Sequence, residues 1–184
     1  LTALPRALRV MTDPANCGPV TLAFCQDTQA EAYDYPVEFF DPKVWYISRP
    51  EPDARELEAA VAAIKGAKKP LIVAGGGVLY SGAQQALLDF ARTHNIALVE
   101  TQAGKGAVDG DEKLHFGTPG VTGTGCGNQL AAEADLVIGI GTRFSDFTTG
   151  SWTVFSAPGR KILSINVHGY DAAKRGAMGL VSDA

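Results

Sequence analysis

PLIVAGGGVLYSGAQQALLDFARTHNIALVE, Pro70–Glu100, contains a complete β-α-β unit. Pro70–Ala74 is a short apolar run closed by glycines, which is the length and composition of a strand buried on both faces. Gly75, Gly76 and Gly77 follow as a turn, where the lack of Cβ atoms lets backbone approach backbone. Ser81 is placed to cap a helix with inner face Ala83, Leu87, Phe90 and Ala91, ending near His94, a basic residue suited to the negative end of the helix. Ile96–Glu100 is the second strand. A strand, a helix and a strand this close in sequence predict a parallel pair joined by a right-handed crossover.

Toward the C-terminus the alternation continues. Thr101–Gly127 is rich in glycine, and a loop of that length serves a function or is covered by another domain. A short helix is expected over Asn128–Glu133, then strands over Asp135–Gly141, Lys161–Val167 and Met178–Ser182. The class is α/β: a doubly wound, mainly parallel Rossmann-like sheet with helices on both faces.

Toward the N-terminus, Asp53 is a candidate helix cap with Glu56 at capping-box spacing, and Leu57, Val61 and Ile64 mark one helical face up to Gly66. Residues 29–52 show neither period. They carry Tyr33, Tyr35, Phe39, Phe40, Trp45 and Tyr46 among acidic residues and prolines, and are expected to form an ordered linker lying along a surface. Residues 1–28 offer a short helix beginning near Pro5 and a strand over Val20–Phe24, too little for a domain. The expected organisation is therefore a helix-strand remnant (1–28), a linker (29–52) and one α/β domain (53–184). With no initiator Met and a final strand that no helix follows, the sequence reads as a piece of a longer polypeptide.

The chain has 184 residues, a net charge of −4, 46% hydrophobic and 20% charged residues, which predicts a packed core and argues against a nucleic-acid partner. No apolar run approaches the ~20 residues needed to span a bilayer. Cys17, Cys25 and Cys126 are odd in number and lack metal-ligand spacing, so they are expected to be buried or inert thiols in a reducing cytoplasm.

Ligands of such sheets bind beyond the carboxyl ends of the strands, here marked by Gly75–Gly77, Thr101–Gly106 and Gly141–Arg143. Gly75, Gly76 and Gly77 permit two readings: a phosphate cradle, or a tight turn with close helix packing. They lack the GxGxxG spacing, and Glu100 is the one acidic residue near the ribose-binding position. Arg143 could offer its guanidinium fork to a phosphate or pair locally with Asp146, and Lys105 reads as a solvated tip. For catalysis the sequence offers nothing: His94, His115 and His168 lie in different elements, and none stands in a nucleophile motif. No catalytic or metal-binding residue is assigned.

The strings KKPLIVAGGGV (68–78), VETQAGKGA (99–107), ADLVIGIGTRFSDFTTG (134–150) and KILSINV (161–167) occur in the order seen in the middle domain of thiamine-diphosphate enzymes, and the chain resembles that family, acetolactate synthase-like, from about Pro52 to Ala184. With QAEAYDYPVEFF (29–40), TQAGKG (101–106) and DFTTGSW (146–152), it looks most like the family's hydrolases of myo-inositol catabolism, which open a trihydroxycyclohexane-1,2-dione.

The resemblance implies a non-catalytic central domain in a cytoplasmic, homo-oligomeric enzyme. Residues 1–28 would end a pyrimidine-binding domain. Thiamine diphosphate and Mg²⁺ would be held by that domain and a diphosphate-binding domain, both flanking this one in the same polypeptide. In acetolactate synthases the middle domain also holds FAD, at positions that match Gly75, Gly76, Gly77, Gly141 and Arg143. The hydrolase branch is not flavin-dependent, and Phe147-Thr148-Thr149-Gly150 departs from the synthase pattern, so FAD is not expected. Two alternatives stand beside this reading: another carboligase of the family, or a self-sufficient FAD- or ADP-binding module.

Overall fold

The computed structural model describes residues 1–184, which divide into two compact units, Leu1–Arg49 and Pro50–Ala184. In the first unit, α1 (Ala3–Met11) begins two residues before Pro5, whose missing N–H falls in the first turn where no intrahelical partner is needed. One short helix, α2 (Gln26–Ala30), and a single 3₁₀ turn, Val37–Phe40, follow. The strand expected over Val20–Phe24 is absent: the segment pairs with no other strand, and an unpaired run has no ladder to hold it. Ala7 is the only buried residue of this unit. Its aromatic side chains stack on one another, Tyr33 on Tyr35 at 5.0 Å and Phe39 on Phe40 at 5.3 Å between centroids, with the rings nearly perpendicular.

The second unit opens with α3 (Ala54–Gly66), capped by the Asp53 carboxylate, which accepts from Arg55 N and Glu56 N at 2.9 and 3.4 Å. The capping box stays half made, because Glu56 turns away to accept from Val181 N at 3.1 Å. The buried face of α3 also differs from the expected one. Ala60, with Ala63 and Ile64, packs on the core, while Leu57 and Val61 remain exposed; the small alanines let the helix backbone approach the sheet.

β1 (Pro70–Ala74) leads into α4 (Gly76–Ser81), so Gly76 and Gly77 form a helical first turn behind the cap residue Gly75. Gly82, at φ 66°, ends α4 in the left-handed region, and α5 (Gln84–His94) runs on separately to β2 (Ala97–Glu100). Ser81 is thus the last residue of one helix rather than the cap of the next. α6 (Gly125–Glu133) starts three residues earlier than expected because Thr124 Oγ1 caps it, accepting from Gly127 N at 3.0 Å. Then come β3 (Leu136–Ile140), a short α7 (Asp146–Thr149), β4 (Lys161–Asn166), a short α8 (Gly169–Ala172) and β5 (Met178–Val181).

All five strands are parallel, in the order β2-β1-β3-β4-β5. The register sorts the side chains into rows across the sheet. Leu98, Ile72, Ile138 and Leu163 form one row facing α3 and α5, the core that also contains Ala60, Leu87 and Ala91. On the other face, Leu71 and Val137 pack under Ala131 of α6 and the rings of Phe144 and Phe155. There the next row is Val99, Val73, Gly139, Ser164 and Gly179, large at one edge and small toward the other. Phe144 fits over Gly139, whose added Cβ would stand 2.4 Å from the ring, and Ala172 of α8 sits against Gly179. Both faces being covered is the doubly wound arrangement.

Candidate functional site

The carboxyl ends of β1, β2 and β3 open onto a cleft of about 380 Å³. Its walls are Gly76, Gly77 and Tyr80 from α4, Thr101, Gln102 and Ala103 after β2, and Gly141, Thr142, Arg143, Ser145, Phe147 and Thr148 after β3. Of the five glycine and arginine positions singled out in the sequence, Gly76, Gly77, Gly141 and Arg143 meet in this cleft, and Gly75 lies behind it.

The glycines are required by the approach of one backbone to another. A Cβ on Gly75 would lie 2.3 Å from Gly141 O, and one on Gly77 2.5 Å from Gly141 Cα. Gly141 itself has φ 59°. The donors in this contact are already committed, since Gly75 N–H binds Ile140 O at 2.8 Å, Gly77 N–H binds Gly141 O at 3.0 Å, and Gly141 N–H binds Ile165 O at 2.8 Å. These N–H groups clasp two β-α junctions together, which leaves them unable to face a phosphate.

Arg143 is exposed, and no ion pair joins it to Asp146. The left-handed turn at Phe144, φ 46°, separates the two. The Arg143 carbonyl accepts from Lys174 Nζ at 3.2 Å, and Lys174 in turn pairs with the buried Asp171 at 2.5 Å. The guanidinium is therefore the one charged group that the cleft presents, edged by the hydroxyls of Thr101, Thr142, Ser145 and Thr148. Several of these hydroxyls also serve the fold: Thr101 Oγ1 accepts from Gly104 N at 3.0 Å and Thr142 Oγ1 from Phe144 N at 3.2 Å.

Glu100, the candidate ribose ligand, is turned inward. Only 1% of it is exposed; one carboxylate oxygen accepts from Val108 N at 2.8 Å and the other lies 3.5 Å from His115 Nε2. It anchors the glycine-rich loop to the end of β2. Sequence reasoning missed His115 as its partner; Leu98 and His115 form an isolated bridge, a long-range pairing with no local signal.

The three histidines stay apart, His94 stacked on Phe90 at 4.7 Å, His115 against Glu100, and His168 3.7 Å from Asp171. Cys17, Cys25 and Cys126 are free and exposed, so of the expected buried or inert thiols burial is corrected: each lies in a loop or at a helix end with no core beside it. No group of three His, Cys, Asp or Glu side chains is placed to hold a metal ion, and no helix is long and apolar enough to cross a membrane.

Comparison with known proteins gives concordant findings. The profile of the family described as thiamine pyrophosphate enzyme, central domain, matches residues 57–184. The 3D-(3,5/4)-trihydroxycyclohexane-1,2-dione hydrolase of Halalkalibacterium halodurans is 50% identical over 184 residues, and those of Bacillus subtilis and Listeria monocytogenes are 48% and 47% identical over the same length. The chain spans 29% of the length of each of these relatives. An X-ray structure from Mycobacterium smegmatis, assigned to the thiamin diphosphate-dependent enzymes, superposes with a TM-score of 0.60 at 25% identity, covering 77% of this chain and 28% of the other.

Proposed function

This chain belongs to the thiamine pyrophosphate enzyme central-domain family, and from that membership we propose that it is the middle part of a thiamine-diphosphate-dependent hydrolase that opens a trihydroxycyclohexane-1,2-dione in myo-inositol catabolism. The carrying observation is 50% identity to such a hydrolase over all 184 residues, which includes Leu1–Arg49, outside the family profile.

The reaction adds water across the bond between the two carbonyl carbons, and thiamine diphosphate would supply the nucleophilic carbon and the electron sink. The residues present do not fit that cofactor. No trio of ligands is placed for Mg²⁺, and Glu100 is sealed between Val108 and His115, away from any aminopyrimidine. Both groups are therefore assigned to the flanking pyrimidine- and diphosphate-binding domains of the same polypeptide. This chain's part is to join and orient them, with a parallel sheet that is rigid because both faces are covered. The whole enzyme is read as a cytoplasmic homo-oligomer with no nucleic-acid or membrane partner.

The deciding experiment follows diketone consumption by the purified full-length protein before and after removal of thiamine diphosphate and Mg²⁺. Activity lost on removal and restored on return supports the reading. Opening that proceeds unchanged without them defeats it, and condensation of two 2-oxo acids in place of ring opening would move the chain to the carboligases.

One observation favours a second reading, nucleotide binding at Gly76, Gly77, Gly141 and Arg143: the Arg143 guanidinium stands unpaired in the cleft. Against it, the N–H groups of Gly75 and Gly77 are spent on the clasp, and 380 Å³ is at the low end of the ~300–1,000 Å³ of small-molecule sites. FAD is accordingly left out of the proposed enzyme. Titration with FAD, NAD and ADP tests this: micromolar binding abolished by Arg143→Ala would promote the nucleotide reading, and flat titrations to millimolar ligand would end it.

A further inference from the structure

On the face of the sheet that α3 and α5 cover, the cover thins toward the carboxyl ends of the strands. One row there is Ala74, Ile140, Ile165 and Leu180. Ala74 and Leu180 are buried, at 0% and 4% exposed, while Ile140 and Ile165 between them, on the central strands β3 and β4, stay partly exposed. This inverts the usual order, in which the edges of a sheet are its open part.

The walls of this notch are apolar. Ser182 N–H bonds to Asn166 O on β4, so Val181 N–H, one residue earlier, points off the free edge of β5, where Glu56 accepts it at 3.1 Å. The Glu56 flank of α3 therefore lies at the edge. Leu57 and Val61, 45% and 39% exposed, lie on the opposite flank and face inward. The flank of α5 turned toward them carries Ala86 and Phe90, also four residues apart and neither fully buried. The two helices do not pack side by side. A helix is ~10 Å across and two strands at ~4.8 Å spacing span the same width, so the opening over β3 and β4 admits one more helix.

We propose that in the full-length protein the stretch following Ala184 lies in this notch as an amphipathic helix, its apolar stripe on Leu57, Val61, Ile140 and Ile165. The proposal rests on the reading above, that this chain is the middle part of a longer polypeptide; it spans 29% of the length of its relatives. The path of the backbone names this occupant. Beyond β5, Asp183 N–H bonds to Pro50 O at 2.9 Å, the Asp183 carboxylate accepts from Ser81 Oγ at 2.7 Å, and Ala184 N–H donates to that Oγ at 3.3 Å. The backbone thus turns back from the edge strand, passes the start of α3 and reaches the end of α4, at the head of the notch. Asp183 is also a residue type that caps a helix start.

The test places a diazirine-bearing side chain at Val61 of the full-length protein, irradiates it and maps the products by mass spectrometry. The expected result is a link within one chain to a peptide C-terminal to Ala184. The same group at Ala62, about 100° further round the helix, should react chiefly with water. Leu57→Asp should lower the melting temperature of the full-length protein by several degrees, and Ala62→Asp should leave it unchanged. A Val61 group that reacts with water, a link to α5, to residues preceding Leu1 or to a second copy, or an unchanged melting temperature for Leu57→Asp overturns the proposal. Ring opening by the same unmodified preparation judges the functional reading separately, so an active enzyme whose Val61 meets only water defeats the helix alone.

Discussion

Replacing Gly75 by alanine tests whether the glycines at the strand ends serve packing. Gly75 has φ −103° and ψ −176°, which alanine adopts freely, so any penalty must come from contact. The added Cβ would stand 2.3 Å from Gly141 O and 2.6 Å from both Gly141 C and Thr142 Cα, all backbone atoms that no rotamer change can move. Relief requires the end of β3 to shift about 1 Å from β1 to regain ordinary contact distance. That strains the Gly75 N–H bond to Ile140 O, 2.8 Å, and the Gly77 N–H bond to Gly141 O, 3.0 Å. Overpacking of this kind costs ~1–3 kcal/mol, and two weakened hydrogen bonds add ~1 kcal/mol, for a loss of about 3 kcal/mol. With a urea m-value of ~2 kcal/mol/M, the unfolding midpoint of the 184-residue chain should fall by about 1.5 M. Gly66→Ala is the control: nothing lies within 4 Å of its added Cβ, and in the last turn of α3 alanine should stabilise by ~0.5 kcal/mol. If Gly75→Ala unfolds within about 0.3 M of the parent, the clasp is not a packing constraint, and the glycines need another explanation.

Glu100→Ala should lower stability by ~1–3 kcal/mol, seen as a fall in melting temperature, because it leaves the buried Val108 N–H without its acceptor; a loss under ~0.5 kcal/mol would mean that Glu100 is not structural. Ser164→Ala should be neutral or stabilising, since the Ser164 hydroxyl is buried without a partner; marked destabilisation in urea would reveal a bond that this geometry lacks. Asp135 accepts from Lys68 N and Lys69 N at 2.8 and 2.9 Å; burial opposes its ionisation, but these and neighbouring N–H groups outweigh that and hold its pKa below 3.8. A lowered carboxyl pKa stabilises the fold above the unfolded value and ceases to do so as pH falls through the folded one. Asp135→Asn should therefore be less stable than the parent by ~1 kcal/mol near pH 7, an exposed-site value, and the gap should close below pH 3.8. A gap that stays constant down to pH 2.5 would refute the assignment.

The strands from β1 to β5 were legible because strands buried on both faces write themselves as apolar runs, and each was expected within a residue or two of its place. The helices were harder. Gly82 divides α4 from α5, yet a single glycine inside a helical pattern does not announce whether it breaks the helix or is tolerated. α7 and α8 span four residues each, too short for periodicity to register. Val20–Phe24 looked like a strand because its composition is that of a strand, but pairing is a property of neighbours and no residue of the segment encodes it. For the candidate site, sequence located the strand-end glycines and Arg143 in one region. It could not tell that Gly77 N–H would be spent on Gly141 O or that Glu100 would turn toward His115, since both contacts join residues distant in the chain.

The graded row from Val99 to Gly179 acts as a template for assembly. Sliding β3 by one residue would bring Ile138 or Ile140 beneath the Phe144 ring in place of Gly139, and sliding β5 would set Met178 or Leu180 against Ala172 in place of Gly179. Backbone ladders are indifferent to such offsets, since every parallel register offers equivalent hydrogen bonds. The trench of missing side chains is not indifferent, so mispaired sheets are rejected by shape as the aromatic cover closes over them.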